Sequence, residues 1–252
     1  MPILTHLLMF AAGVAGGMLS VMAGGASFIT FPALVFSGLT PLAANTTNFV
    51  ALILAQPTAL ATSYRAELRA VGRDLLPSLV SAAAGGAAGA VLLLQTGESG
   101  FARVLPWLML LATVLFATGP RIRAAIIANV RVPLTATSLT CQGLLFLFSI
   151  YTGYFGAGVG MMLLGVLTVF GYDDMHEANA VKNAVVAVSS LVATAIYGLS
   201  GPVAWPQALT MMAGAVAGAY AGGIFAKRAP QHLLRAGLII LGSAFTLYLF
   251  WR

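Results

Sequence analysis

The chain has 252 residues, of which 60% are hydrophobic and only 7% are charged. Soluble domains carry about 25% charged residues, so this composition excludes a water-soluble globule and indicates a polytopic, all-α membrane protein. The formal net charge of +6 is interpreted as topology and not as nucleic-acid binding, because basic residues concentrate in cytoplasmic loops.

Ten apolar segments follow one another along the chain. The second and seventh have thirteen residues each, which reach only about 20 Å as helices, whereas the apolar core of a membrane is ~30 Å thick. These two are predicted to be half-helices or steeply bent segments, and the first is interpreted as a membrane helix and not a cleaved leader. The segments lie at about residues 3–22, 26–38, 42–63, 75–95, 101–118, 133–155, 159–171, 175–199, 204–226 and 232–251.

The two halves of the chain repeat one pattern. Gly25 is followed thirteen residues later by another glycine and then by the polar run Ala-Ala-Asn-Thr-Thr-Asn at 43–48. Gly158 is also followed thirteen residues later by a glycine, and then by Ala-Asn-Ala-Val-Lys-Asn at 178–183. Apolar halves interrupted at corresponding places point to a transporter core with its site between the repeats.

The basic residues predict how the halves are oriented. The regions 65–73, 121–131 and 227–235 hold nine of the twelve Lys and Arg residues, so we expect them to share the cytoplasmic side. The loop after the third segment is basic, whereas its counterpart at 200–205 has no charge. This difference favours an inverted repeat with five crossings per half over re-entrant short segments with four.

This interpretation gives a domain organisation and a location. Residues 1–119 form the first transmembrane repeat of five segments, 120–132 a basic cytoplasmic linker, and 133–252 the second repeat. Each half contains one short segment. The protein is expected in the inner (plasma) membrane, with both termini on the non-cytoplasmic side.

Lys182 is the first candidate for a functional residue. It is the only lysine or arginine deep within an apolar segment, and a charge at such a place is costly and indicates a function by default. The alternative is a lysine that extends its ammonium to the interface from a helix start six residues after His176.

The polar runs and glycine clusters supply the other candidate substrate contacts. Polar groups in a membrane must be satisfied by partners or line a wet cavity, so the alternative is hydrogen bonding that holds helices together. Glycines let the chain turn sharply, and the helix starts after them offer N–H groups to an anion. The candidates are Lys182, Asn183, Asn179, Asn48, Thr47, Asn45, Gln56, Gly24, Gly25, Gly156 and Gly158.

One acidic cluster stands between the seventh and eighth segments. Asp174, His176 and Glu177 could couple transport to protons, although exposed residues that cap the following helix are the alternative. His176 lacks the second histidine of a zinc-protease helix, and Cys141 is the only cysteine. We therefore expect no metal site and no cofactor.

Two further patterns concern helix packing and catalysis and not substrate binding. The spacings Gly85-x-x-x-Gly89 and Gly218-x-x-x-Gly222 predict close helix packing. An intramembrane hydrolase would need a serine with a placed base, but no Gly-x-Ser-x-Gly elbow occurs. A wet pore would also use paired polar clusters, so a channel remains an alternative to a carrier.

Four passages of the sequence can be compared with known families: the early glycine cluster, the proline-containing segment Phe28–Ser37, the Ala-Asn-Thr-Thr-Asn passage and the later His-Glu-Ala-Asn-Ala-Val-Lys-Asn passage. Together they resemble the TauE/SafE sulfite and organosulfonate exporter family. The resemblance implies export or exchange of small sulfur-containing anions such as sulfite, thiosulfate or sulfoacetate across the lipid bilayer. The expected mechanism is alternating access at a central site, with Lys182 balancing ligand charge. The alternative substrate is a small carboxylate.

Overall fold

The computed structural model describes residues 3–22, 25–55, 57, 72–129, 138–170, 172, 174–225 and 231–251. Throughout these residues the regular structure is helical and there is no strand, which confirms the all-α prediction. A short 3-10 helix, Gly72–Leu75, precedes the longest helix. The helices are α1 (Ile3–Met22), α2 (Ser27–Phe36), α3 (Pro41–Leu52), α4 (Leu76–Asn129), α5 (Leu139–Tyr154), α6 (Val159–Val169), α7 (Met175–Ser200), α8 (Trp205–Phe225) and α9 (Gln231–Trp251).

The helices have the length and surface of a multi-pass membrane protein. Within the described residues, four stretches are long and apolar enough to cross a membrane: Ile3–Val21, Leu76–Gly119, His176–Ser200 and Leu234–Trp251. Large apolar side chains also cover the outside, and Leu199 for example is 88% exposed. Such a surface is stable only where lipid covers it.

The two segments predicted to be short are short helices. α2 has 10 residues and α6 has 11, which gives each a length of roughly 15 Å. Neither can cross an apolar core of ~30 Å alone. Both ends of each therefore lie inside the protein or near one face of it.

The fourth and fifth predicted segments are two helices that meet at a kink at Gly97, and they share the label α4 here. Gly97 has φ +68° and ψ 179°, a backbone conformation that glycine adopts at little cost, so the predicted loop at 96–100 is a break of a single residue. Within the predicted linker at 120–132, residues 120–129 continue α4 in helical form. The helix thus extends ten residues beyond Gly119, where its apolar stretch ends.

The first helix of each half packs against a helix of the other half. The most extensive contacts among the described helices join α1 with α8, and the next most extensive join α4 with α5. A Cβ at Gly218 or Gly222 of α8 would collide with the backbone of α1, and one at Gly85 or Gly89 of α4 with that of α5. The prediction that these glycines serve helix packing is confirmed.

Glu98, the first residue after the kink in α4, caps the start of α3. The Thr40 hydroxyl donates to Glu98 Oε2 at 2.7 Å, and the Leu42 N–H donates to Glu98 Oε1 at 3.3 Å. Thr40 Oγ1 also accepts from the Ala43 N–H at 3.4 Å. A carboxylate at a helix N-terminus is favourable because it satisfies free N–H groups and interacts with the helix dipole.

Glu98→Gln should therefore lower the stability of the protein by about 1 kcal/mol, which corresponds to roughly 2–4 °C in melting temperature. Thr40→Ser, which keeps the hydroxyl, should melt close to the wild type. Thermal unfolding in detergent measures both variants. A Glu98→Gln protein that melts with the wild type would show that the carboxylate charge adds nothing to this helix start.

Candidate functional site

A cavity of about 100 Å³ lies between the two halves. It is enclosed by the end of α1, the starts of α2 and α6, one face each of α3 and α7, and the turn between α5 and α6. Its wall is formed by Ser20, Gly25, Ala26, Ser27, Asn48, Phe49, Leu52, Ile53, Thr152, Phe155, Gly156, Ala157, Gly158, Val159, Gly160, Lys182, Asn183, Val186, Ala187 and Ser190.

Residues at a constant spacing in the chain line this cavity together. The lining residues of α3 and α7 form four pairs that are 134 positions apart in the chain: Asn48 and Lys182, Phe49 and Asn183, Leu52 and Val186, Ile53 and Ala187. Gly25 and Gly158, which precede the two short helices, also both line it. The cavity therefore lies between the first and second halves of the chain, where the sequence predicts a site.

Two helix starts face the cavity without a capping side chain. The N-cap residues of α2 and α6 are Ala26 and Gly158, and neither offers a side-chain oxygen to the first-turn N–H groups. The starts of α3, α5 and α7, in contrast, are capped by Thr40, Ser138 and Asp174. At α2 the Phe28 and Ile29 N–H groups donate to the carbonyls of Gly25 and Ala26 at 3.0 Å. Both helix starts still present the positive end of the helix dipole, which attracts anions.

The turn before α6 depends on its glycines, as the sequence predicted. Gly156 and Gly158 have φ values of +77° and +76°, which side chains other than glycine adopt only with strain. A Cβ on Gly158 would also lie 2.9 Å from the carbonyl oxygen of Ala112. The turn is held from outside by the Tyr151 hydroxyl, which donates to the carbonyl of Ala157 at 2.7 Å.

The corresponding turn of the first half is built differently at Gly25. Its φ is not positive, and a Cβ there would lie 2.7 Å from Leu238 Cδ1 of α9. The residue is therefore small for packing and not for an unusual backbone conformation. Gly24 and Gln56, two other predicted contacts, lie outside the described residues.

Lys182 supplies the positive charge of the cavity. Among the described lining residues it is the one charged side chain. Its ammonium donates to Asn179 Oδ1, one helical turn earlier, at 3.0 Å, and no carboxylate contributes to the described wall. A positive charge facing a cavity without an anionic partner leaves that cavity suited to an anion.

Several polar groups of the wall have no recorded partner in the described part of the chain. The Asn183 side chain is 9% exposed, and neither its amide nor the hydroxyls of Ser20 and Ser190 has a hydrogen bond there. Sequence reasoning missed both serines as contacts. Their signal is weak, although Ser190 stands eight residues after Lys182 and therefore on the same helix face.

Asn48 lines the cavity, but its amide already has partners. Thr30 Oγ1 donates to Asn48 Oδ1 at 2.6 Å, and Asn48 Nδ2 donates to Ser27 Oγ at 3.1 Å. Asn48 thus links α3 to the first turn of α2. Ser27 itself lines the cavity, although sequence reasoning did not include it among the substrate contacts.

Three of the predicted contacts do not form part of the cavity wall. Asn45 Nδ2 donates to the carbonyl of Tyr154 at 3.0 Å, and Thr47 Oγ1 accepts from the Ala204 N–H at 3.0 Å. Both therefore tie α3 to the second half, as the hydrogen-bonding alternative described. Asn179 reaches the cavity only through its bond to Lys182.

The acidic cluster also lies away from the cavity. Asp174 accepts from the His176 N–H at 2.7 Å and so caps the start of α7. Asp174 and His176 are exposed, and Glu177 is half-buried in the first turn. These positions agree with the capping alternative.

The contacts give no support to a hydrolase. The recorded hydrogen bond of Lys182 goes to Asn179, and that of Ser27 comes from Asn48. Ser149 is buried with an unpaired hydroxyl in the described structure. Where a hydroxyl meets a base among the described residues, at Thr210 with His6 and at Thr40 with Glu98, the pair lies outside the cavity wall.

Comparison with known proteins finds relatives that match nearly the whole chain. The family model for the sulfite exporter TauE/SafE matches residues 9–249. A "Probable membrane transporter protein" of Haemophilus influenzae is 29% identical over 95% of this chain and 92% of its own length. A "Probable membrane transporter protein ORF9" of Sinorhizobium sp is 28% identical over 97% and 92%, and the Escherichia coli K12 "Probable membrane transporter protein YfcA" is 26% identical over 96% and 88%. No solved structure matches the chain.

Proposed function

The chain belongs to the sulfite exporter TauE/SafE family of membrane proteins, and from this membership and its cavity we propose that it exports small sulfur-containing anions. Sulfite, thiosulfate, sulfoacetate and related sulfonates form the proposed substrate class. The observation that carries the proposal is the meeting of Lys182 with two uncapped helix starts in one small cavity between the halves.

The chemistry of the wall supports a small oxyanion. A volume of about 100 Å³ is far below the ~300–1,000 Å³ of pockets for drug-sized ligands. An ammonium, an amide, several hydroxyls and backbone N–H groups together surround the several oxygens of such an anion with hydrogen-bond donors. The apolar side of the wall, which includes Phe49 and Phe155, can accept the short carbon chain of a sulfonate.

Alternating access between two inverted halves is the proposed mechanism. It is supported by the reciprocal packing of α1 with α8 and α4 with α5, and by the contribution of corresponding residues of both halves to the cavity wall. When one half rotates against the other, a site at their boundary can open to one side and then to the other.

The proposed topology places both termini outside the cytoplasm. It is supported by Arg235 at the start of α9, whose guanidinium donates to the carbonyls of Phe116 and Ala117 at 2.8–3.1 Å. This contact brings one basic region beside the end of α4 that carries Arg121. We expect tags at the two termini to be labelled together from the non-cytoplasmic side, and labelling on opposite faces would refute the inverted arrangement.

Flux into vesicles tests the proposed function. Purified protein in liposomes should give saturable uptake of labelled sulfite or thiosulfate, and internal unlabelled anion should accelerate it by counterflow. Uptake without counterflow would indicate a channel, and uptake of lactate in place of sulfur anions would indicate a carboxylate carrier. Conversion of the substrate would indicate an enzyme.

A pH gradient across the same vesicles tests proton coupling. His176, Asp174 and Glu177 remain the sequence candidates for it, although none of them contributes to the described cavity wall. A transport rate that does not respond to the gradient would remove protons from the mechanism.

A further inference from the structure

A buried hydrogen-bond chain leads from α2 through α3 to the cavity. Thr30 is 0% exposed and Asn48 is 3% exposed. Thr30 Oγ1 donates to Asn48 Oδ1 at 2.6 Å, and Asn48 Nδ2 donates to Ser27 Oγ at 3.1 Å. Ser27 ends the chain as a half-buried residue of the cavity wall.

The two distances favour one orientation of the Asn48 amide. Thr30 Oγ1 also lies 3.0 Å from the Ala26 carbonyl oxygen, and its one hydrogen is assigned to the nearer acceptor, Asn48 Oδ1. A separation of 2.6 Å is typical of O–H···O hydrogen bonds, whereas 3.1 Å is typical of N–H···O hydrogen bonds. The carbonyl oxygen of the amide therefore faces Thr30 and the NH₂ group faces Ser27. A flipped amide would place N–H···O at the short distance and is disfavoured.

This orientation determines what Ser27 offers to a ligand. A hydroxyl has one hydrogen and two acceptor sites, and Asn48 occupies an acceptor site of Ser27. No recorded bond in the described residues uses the Ser27 hydrogen, since the amide oxygen of Asn48 already accepts from Thr30. The hydrogen is thus available on the cavity side, next to the uncapped start of α2.

We propose that Ser27 is a substrate-binding hydrogen-bond donor, and that Thr30 and Asn48 are positioning residues that hold it in the donor state. The inference rests on the proposed function, because the ligand is taken to be a small oxyanion. Donors in the wall favour a ligand whose oxygens accept hydrogen bonds. Ser27 belongs to the part of the wall formed by the first half, whereas Lys182 belongs to the second half.

Sulfite binding to the detergent-purified protein, measured by titration calorimetry, tests the donor. Ser27→Ala should weaken binding about tenfold to a hundredfold, as expected when a hydrogen bond to a charged ligand is lost. Ser27→Thr keeps the hydroxyl and should restore binding to within about threefold. Unchanged affinity in Ser27→Ala would overturn the assignment of Ser27.

A double-mutant cycle tests the chain. Thr30→Val keeps the shape of the side chain but removes its hydroxyl, and it should weaken sulfite binding by about threefold to tenfold through Ser27. In the Ser27→Ala background the same change should have no further effect on affinity, because the group it orients is gone. Additive losses would overturn the positioning role, whatever Thr30→Val does to the melting temperature.

Lys182→Met separates failure of this inference from failure of the proposed function. If Lys182→Met loses sulfite binding while Ser27→Ala keeps it, the anion site stands and the role of Ser27 is refuted. If the wild type binds none of sulfite, thiosulfate and sulfoacetate, the proposed function and this inference are refuted together.

Discussion

Replacing Lys182 with methionine should lower the affinity for sulfite by at least about a hundredfold, a loss of roughly 3 kcal/mol. Methionine keeps most of the apolar stem and removes the charge. Two unit charges 4 Å apart attract by about 4 kcal/mol at an effective dielectric constant of ~20, and part of this energy offsets desolvation. Lys182 is the one charged side chain in the described wall, so no neighbouring cation there replaces it.

The stability of the same variant distinguishes a binding role from a structural one. The ammonium of Lys182 has one recorded partner, Asn179, and an interior charge without a counter-ion is unfavourable for the fold. The melting temperature of ligand-free Lys182→Met should therefore equal or exceed that of the wild type. Loss of affinity with retained stability is the pattern expected of a functional site.

Arg121→Met is a matched control for the charge. Arg121 is exposed at the end of α4, beyond the apolar stretch that ends at Gly119. The substitution removes the same unit charge from a residue outside the cavity wall. The sulfite affinity should therefore change less than about twofold in salt that screens exposed charges. If both variants lose affinity equally, the effect is a general one of net charge. If Lys182→Met binds like the wild type, the interfacial-lysine alternative is correct.

Part of the site could be predicted from the sequence because unusual residues mark it. A lysine in an apolar segment and glycines at corresponding places in two halves are costly features, and the structure brings Lys182 and Gly158 to one cavity. The polar run of α3 was less informative. Asn45, Thr47 and Asn48 are all between 0% and 3% exposed, yet only Asn48 lines the cavity. Polarity and burial do not tell which side of an enclosed helix faces the space.

Ser27 was missed because its residue type is common in membrane helices. Serines in membrane helices often bond to the backbone of their own helix, so the residue type alone does not indicate a ligand. What distinguishes Ser27 is its contact with Asn48, 21 positions later in the chain. Such a pairing depends on how α2 packs against α3, which the local sequence does not specify.

The fold was predictable in its apolar segments and less so in its connections. The sequence predicted the short helices α2 and α6 because the length of an apolar run limits the span. It did not predict that the break within 96–100 would be limited to Gly97, or that α4 would continue to Asn129. Polar and charged residues mark where a helix leaves lipid, and a helix can continue into water because its hydrogen bonds are internal.

Gly218→Ala should be strongly destabilising, by about 3 kcal/mol or more, through a single added methyl group. The new Cβ would overlap the carbonyl oxygen of Val14 and lie 2.8 Å from the Cα of Val14, whereas carbon atoms pack at about 3.5–4.0 Å. These are backbone atoms that no rotamer change can move aside. α1 and α8 must separate along the most extensive helix contact in the described structure.

Gly237→Ala on α9 is the matched control, because a Cβ there would meet no atom within 4 Å. Alanine is favoured over glycine in a helix by roughly 0.5–1 kcal/mol, so this variant should melt at or slightly above the wild-type temperature. Gly89→Ala, whose Cβ would overlap the Ile150 carbonyl, should match the cost of Gly218→Ala if the halves pack reciprocally. Thermal unfolding in one detergent ranks all three. Equal melting of Gly218→Ala and Gly237→Ala would mean that α1 and α8 do not touch at Gly218, and the cavity between the halves would lose its structural basis.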